Sequence, residues 1–488
     1  MTESKPRSDD EADRPLRDRI GAEPGPALVW LAGLALLVLV EAPFYLEGLL
    51  SAASGALGAI PGDPGADAAA GASAFFDELP HLLSRDLIPN RGYRDGGQWQ
   101  GTFLGLEPMH AWLVRFVLVY AYAAVTLGWL WYGYVLFRRH YRAADWTPTD
   151  DVVDRLRSHY WGQFGLLIVV AFLVLALFAP MASPTTYEEN IEAPYSHQLQ
   201  YFDEDAGEVR TTTVGDANLG SASRGGGDSN VGLWSYDDFG RFHPAGTLTN
   251  GKDLFTFLAF GARVSLFIGV GSMALAGVLA AGLALITAYY KGVTDLAVIL
   301  TSDSVQAMPA LLLLILASVV FRGTWIAGLY NGAVLFILLF ALIRWPGLWR
   351  AVRGPALQVA EQEWIDAAKS YGQRPSVIMR KHMAPYILGY LLIYASLTLG
   401  GVIISVAALS FLGLGITAPT PEWGRAIDMG QPYIASQSWH ISLIPGIMIT
   451  LVVTGFNALG DGIRDAIDPQ SEGAEGGRTA AAAGGGGG

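Results

Sequence analysis

The stretch Gly246–Asp253 reads GTLTNGKD and stops one hydroxyl short of a phosphate-binding loop. Such a loop cradles phosphates on glycine-rich backbone after a strand, and holds magnesium on a Ser or Thr directly after its Lys. Here Asp253 follows Lys252, and a carboxylate at that position repels phosphate. Nucleotide binding by this chain is therefore not expected. The remaining catalytic patterns fail on similar grounds. No HExxH is present, which leaves a zinc protease unsupported. Gly71-Ala72-Ser73 and Gly227-Asp228-Ser229 fall in polar links and not in apolar runs, which excludes an intramembrane serine protease. His382 has no second ligand at metal spacing and reads as structural. The chain has no cysteine, so thiolate metal sites, disulfides and cysteine nucleophiles are excluded.

What remains are charges in apolar surroundings. Asp303 lies within an apolar run, where an unpaired charge costs roughly 2.5–3.5 kcal/mol on insertion scales. It is a candidate pathway or gating residue. The competing reading pairs it near the cytoplasmic interface, close to Lys291 and Asp295. Glu41 reads the same way at the outer interface, and Arg344 is expected to reach the cytoplasmic headgroups.

The elements that hold these residues are membrane spans. Of 488 residues, 52% are hydrophobic and 15% charged, which places the chain in a membrane class. A net charge of −13 argues against a nucleic-acid partner. About 20 apolar residues cross a bilayer core. Runs near 27–40, 111–137, 164–181, 264–290, 296–320, 333–348, 387–414 and 441–459 give about eight spans. A cleaved leader ending near Ser51-Ala52-Ala53 competes for the first run, but its acidic flank and lack of a basic n-region favour a span. Basic residues collect in alternate links: Arg138, Arg139 and Arg142; Lys291; Arg350 through Lys381; and Arg464. By the positive-inside rule those links, and both termini, are cytoplasmic.

One cytoplasmic link is unlike the rest. Glu361–Pro385 reads EQEWIDAAKSYGQRPSVIMRKHMAP, with Trp364, Ala368 and Tyr371 at helical spacing. Ala367 and Ala368 leave a shallow surface for another protein, and Gly372 is placed to end the helix in a left-handed conformation. Periodicity alone equally allows an amphipathic helix lying on headgroups.

This loop resembles the EAA loop of ABC-importer permeases. Asp366-Ala367-Ala368 stands for Glu-Ala-Ala, with Gly372 and Pro385 at the family's spacing. The departures are Asp366, His382 and Ala384, and Lys381-His382-Met383-Ala384-Pro385 is close to the Arg-His-Ile-Leu-Pro of the dipeptide and oligopeptide (and nickel) importer branch. His243-Pro244, Gly246-Thr247 and Gly251-Lys252-Asp253 resemble that branch's HPxGTDxxGRD, with Leu248 in place of its Asp. Gly261–Leu266, the spacing of Asp295, Asp303 and Pro309, Ser410–Gly415, Pro421–Gly424, and the closing Asn457, Gly460-Asp461, Arg464-Asp465, Asp468-Pro469 follow in order.

The resemblance implies an all-α polytopic fold with a type I ABC-importer permease core and a subunit that is not itself an enzyme. It implies a second permease subunit (a heterodimer), two cytoplasmic ATPase subunits and an extracytoplasmic substrate-binding protein, besides membrane lipid. By the same resemblance this chain would bind no cofactor, and ATP and magnesium would be used by the ATPases. Asp366, Ala367, Ala368, Lys369, Gly372 and Pro385 would couple to the ATPase, with Ala367, Ala368 and Gly372 at the centre and Asp366 and Lys369 at the rim. The expected organisation is a disordered tail at 1–26, an extra transmembrane pair with its external loop at 27–160, and a first core-associated helix at 161–183. An acidic external loop domain follows at 184–260, flexible around Ser221–Asn230, then the permease core at 261–469 and a low-complexity tail at 470–488. The alternative function is an ATP-independent channel or secondary carrier, which would work without copurifying ATPases.

Overall fold

A computed structural model of the chain describes residues 15–57, 64–77, 79–95, 97–142, 148–226 and 230–467. Residues 1–14 of the expected tail at 1–26, and the whole expected tail at 470–488, lie outside the described residues. Sixteen helices carry the description below: α1 (Leu16–Ala22), α2 (Pro24–Val40), α3 (Ala42–Leu57), α4 (Pro64–Asp77), α5 (Pro108–His140), α6 (Pro148–Ser158), α7 (Tyr160–Leu177), α8 (Val214–Gly220), α9 (Leu254–Tyr290), α10 (Gly292–Ala307), α11 (Ala310–Val320), α12 (Ala333–Ala360), α13 (Glu363–Ser370), α14 (Ala384–Phe411), α15 (Trp423–Gly430) and α16 (His440–Ile467).

Among the described residues six helical spans are long and apolar enough to cross a membrane: α5, α7, α9, Trp325–Ala360 ending in α12, Pro375–Phe411 ending in α14, and α16. Two bent pairs raise the number to as many as eight. One is α1 with α2, turned by 96° at Glu23. Part of the expected N-terminal tail is therefore helical. Arg19 donates to the Tyr141 carbonyl at 2.7 Å, and the Tyr141 hydroxyl donates to the Glu23 carbonyl at 2.6 Å, which fixes α1 against the end of α5. The other pair is α10 with α11, bent by 83° where a single span over 296–320 was expected. Met308 precedes Pro309 and takes extended backbone, φ −85° and ψ 136°. Proline's ring excludes the helical conformation from the residue before it.

The bundle closes by contact between small residues. A Cβ built on Gly165 would meet the Leu459 amide nitrogen at 2.3 Å, and one on Gly462 would meet the Gly162 Cα at 2.7 Å. α7 and α16 therefore touch almost backbone to backbone, as spanning helices do where small residues line the seam. In α9 a Cβ on Gly271 would meet the Ile337 side chain at 2.8 Å, while Gly282 faces open space. Buried apolar side chains run as one cluster from Val169 through α9, α12 and α14 to Phe456.

The segment before α7 is a separate unit laid on this bundle. α2 and α5 pack through exchanged indoles: Trp30 Nε1 donates to the Trp129 carbonyl at 3.2 Å, and Trp129 Nε1 to the Trp30 carbonyl at 3.0 Å. Each ring occupies the space a side chain would need at Gly133 and Gly33 respectively. The unit docks on Pro180–Thr185. Arg115 is fully buried and donates to the carbonyls of Met181, Ile88 and Ser183 at 2.8–3.0 Å. Arg85 reaches the carbonyls of Pro180, Ser183 and Thr185, and Asn90 that of Pro184.

Between α7 and α9 lies a small polar unit. β1 (Gln198–Asp203) and β2 (Glu208–Thr213) form an antiparallel hairpin, Gln198 opposite Thr213, followed by α8. The expected flexibility around Ser221–Asn230 does not hold at its start. Ser221, Ala222 and Ser223 are buried; the Ser221 hydroxyl donates to Asp237 at 2.8 Å, and Thr247 donates to the Ser221 carbonyl at 2.6 Å. Gly227–Ser229 fall outside the described residues.

Candidate functional site

The loop expected to carry coupling is built at one end of the bundle. α12 stops at Ala360, two residues reverse the chain, and α13 runs for little more than two turns. Its inner face is Ile365 (0% exposed) and Ala368, both part of the main apolar cluster. Its outer face is Asp366, Ala367, Lys369 and Ser370, continued by Tyr371 (88% exposed). Lys369 Nζ stands 3.0 Å from Asp366 Oδ1 and 5.6 Å above the Tyr289 ring, tying the rim to the end of α9. Trp364 stacks on Tyr386, centroids 6.0 Å apart.

Gly372 closes α13. Its φ is +72°, its amide donates to the Lys369 carbonyl at 2.9 Å, and the Gln373 amide donates to the Ala368 carbonyl at 3.1 Å. That bond pair is the Schellman termination, which glycine enters without a Cβ penalty. Arg374 is extended, Pro375 opens a helical turn, and a π-helical stretch Ile378–Met383 feeds α14, where Pro385 is the second residue. The His382 and Gln373 side chains meet at 3.1 Å, closing the loop on itself.

One expectation about this site needs correction. Ala368 was grouped with Ala367 and Gly372 as a contact surface for another protein. The structure turns Ala368 inward beside Ile365, while Ala367 and Gly372 are exposed. A methyl at 368 lets α13 lie close on the bundle; the outward surface is Ala367, Gly372 and the Asp366–Lys369 pair. Pro385 belongs to the next helix and is exposed there.

The end of α12 that leads into α13 is tied to α10 by three ion pairs. Lys291 meets Glu361 at 3.1 Å, Arg353 Nε meets Asp295 at 2.8 Å, and Arg350 meets Asp303 while its Nη1 reaches Gln306 at 3.1 Å. Asp303 is thus a paired residue. Arg344, expected at headgroups, instead lies half-buried beside Gly401 of α14.

The opposite end holds a buried polar network. His243 Nδ1 lies 2.8 Å from Asp253 Oδ2, and its Nε2 lies 3.4 Å from Asp237 Oδ2. Arg241 Nε donates to Asp237 at 2.7 Å, and the Asn190 side chain donates its Nδ2 to the Asp253 carbonyl at 3.2 Å and accepts from the Asp253 amide on its Oδ1 at 2.8 Å. Burial alone would raise the Asp237 carboxyl, but the Arg241 guanidinium and His243 hold it well below the usual range. Burial alone would depress His243, but hydrogen bonds to Asp237 and Asp253 raise it. Asp253 also accepts from the Thr256 amide at 2.6 Å, capping α9. The phosphate-loop resemblance is resolved here: the anion-seeking amides at the start of α9 are satisfied by the chain's own carboxylate. Leu248, standing where the resembled motif has Asp, is fully buried.

Among the described residues no group of three or more His, Cys, Asp or Glu is placed to hold a metal. Arg115 was passed over in reading the sequence. A lone arginine inside the run 111–137 was the available signal, since membrane-depth cations face protein or water.

The bundle and its small exposed loop helix define a multi-pass membrane protein. The chain matches the family described as binding-protein-dependent transport system inner membrane component over residues 273–472, and the N-terminal TM domain of oligopeptide transport permease C over residues 147–200. It is similar to the dipeptide transport system permease protein DppC of Alkalihalophilus pseudofirmus, 32% identical over 324 residues, which cover 66% of this chain and 90% of that protein. It is likewise similar to the oligopeptide transport system permease protein OppC of Bacillus subtilis (31%; 66% and 89% covered) and the glutathione transport system permease protein GsiD of Escherichia coli O157:H7 (30%; 67% and 92% covered). The chain belongs to the dipeptide/oligopeptide ABC permease family of binding-protein-dependent transport components. As such it is a permease subunit with ATPase and binding-protein partners, and not itself an enzyme.

Proposed function

We propose that this permease forms one half of a translocation pathway for peptides or related small solutes, paired with a second, different permease subunit. Two ATPase subunits supply ATP and magnesium chemistry, and a separate binding protein delivers cargo to the end that carries His243. The names of the similar proteins, for dipeptide, oligopeptide and glutathione transport, support that cargo class. The basic residues gathered around α13 support placing that end, and both termini, in the cytoplasm.

The observation that carries the mechanism is the two-faced build of α13. Ile365 and Ala368 seat it on the bundle, and Ala367, Gly372 and the Asp366–Lys369 pair are left outward. The outward face takes an ATPase groove; force on it passes through the Gly372 turn into α14 and through Glu361 into α12. The Asp303–Arg350 pair, bridging α10 and α12, is the part of this linkage suited to gating. Affinity purification of the tagged chain in mild detergent, followed by mass spectrometry, tests the reading. Two ATPase polypeptides or one in two copies, a second permease and a binding protein are expected; a chain that transports without ATPases is a channel or gradient-driven carrier.

A further inference from the structure

We propose that Arg344 recognises a carboxylate group of the cargo as it passes the middle of the membrane; this rests on the peptide-permease reading above. Arg344 lies about 17 Å along α12 from Ala333, at 1.5 Å per residue, in a hydrocarbon core about 30 Å thick. With Ala333 taken as the start of the apolar crossing, that depth is near the midplane, and the cation is half-buried in the bundle. The two arginines further along the same helix each have an acid, Arg350 with Asp303 and Arg353 with Asp295. Arg344 has no ion pair or hydrogen bond among the described residues, and its Nε is buried without an acceptor.

Its surroundings leave room for a ligand. Nη2 lies 3.6 Å from the point where a Cβ on Gly401 would stand, so the guanidinium rests against bare backbone of α14. Thr398 and Ser405, on the same side of α14, are also half-buried. An arginine at this depth does not face lipid tails. It faces protein or a water-filled passage and meets an anionic group. The described residues supply none, and a peptide arriving with its terminal carboxylate does. The planar guanidinium binds a carboxylate through two parallel hydrogen bonds, which a lysine ammonium does not reproduce.

The test uses the complete transporter, purified with its partner subunits and binding protein in proteoliposomes. The probe is a tryptic peptide digest offered half as free acids and half as carboxyl amides. Luminal peptides are measured by mass spectrometry, each normalised to its occupancy of the binding protein. Wild type is expected to favour acids over amides; Arg344→Gln is expected to lower acid uptake at least about tenfold, remove the preference and leave amide uptake unchanged, with Arg344→Lys in between. Where the binding protein takes only acids, the order of acid uptake, wild type above Arg344→Lys above Arg344→Gln, is the readout. An unchanged preference and unchanged acid uptake in Arg344→Gln overturn the proposal. So does loss of the second permease from purified Arg344→Gln, which would assign the guanidinium to that subunit. Absence of ATP-dependent accumulation of any peptide by wild type sinks the peptide reading itself, and this inference with it.

Discussion

His243 Nδ1 and Asp253 Oδ2 stand 2.8 Å apart in the protein interior, and the same Asp253 side chain caps the longest helix of the bundle through the Thr256 amide. The polar unit before α9 and the spanning core are therefore joined at one carboxylate. Removing the imidazole would leave Asp237 and Asp253 facing one another without a cation between them. Breaking a buried pair in this way costs about 3–5 kcal/mol.

The pH dependence of this joint has a definite sign. His243 titrates above its ordinary value when folded, so its contribution is complete below about pH 6.5 and is lost as pH rises through the raised value. Asp237 titrates below its ordinary value, so its contribution is present above about pH 4 and fails only in stronger acid. Melting followed through Trp99 and Trp234 should hold level between those limits and fall on the alkaline side. His243→Gln should abolish the alkaline fall. A wild-type profile that gains stability with rising pH above 6.5 would contradict the assignment.

The two adjacent alanines of α13 should behave oppositely. Ala368→Leu overpacks the seat beside Ile365 and should destabilise it by about 1–3 kcal/mol, lifting α13 from the bundle. Ala367→Leu points outward and should leave thermal stability within about 0.5 kcal/mol while weakening ATPase copurification. Melting curves and pull-down yields of the two variants decide the matter.

Gly372 holds φ at +72°, where any side chain costs about 1–2 kcal/mol. Gly372→Asp and Gly372→Ala should fray the last turn of α13 and uncouple ATP hydrolysis from uptake while the spans stay inserted. Uptake at the wild-type rate by Gly372→Asp would count heavily against a coupling role.

Arg115 should decide whether the N-terminal unit stays docked. Each hydrogen bond to a charged group contributes about 1.5–3 kcal/mol, and Arg115 makes three, to the carbonyls of Met181, Ile88 and Ser183, the last shared with Arg85. Arg115→Ala should expose the 79–107 segment to limited proteolysis while the core still copurifies with its partners. Protease resistance equal to wild type would show that the exchanged indoles of Trp30 and Trp129 suffice.

How far the sequence spoke for itself depended on the kind of signal. Apolar runs placed the spans, since a bilayer demands length and little else, and Pro309 marked the bend in α10–α11 for a reader who gave it weight. Gly372 was legible because a left-handed residue at a helix end is a local matter. The inward turn of Ala368 was not legible: two identical neighbours carry no polarity, and helical spacing groups Ala368 with Trp364 and Tyr371 without saying which of the three the bundle covers. Both rings lie outward. The burial of Ser221–Ser223 depends on Asp237 and Thr247, residues whose proximity only the fold supplies. Arg115 and Arg344 were visible as charges, but the carbonyls that satisfy one and the bare helix beside the other were not.

The account rests on the outward face of α13 being the handle for an ATPase. The natural chain has no cysteine, so a single thiol reports without background. With Ala367→Cys and Ala368→Cys in separate copies of the assembled transporter, a short thiol-to-amine cross-linker should join Ala367→Cys to the ATPase subunit, with a yield that changes on ATP addition, and leave Ala368→Cys unlinked. Cross-linking through Ala368→Cys, or a thiol in Ala367→Cys that reacts only from outside the cell, would contradict it.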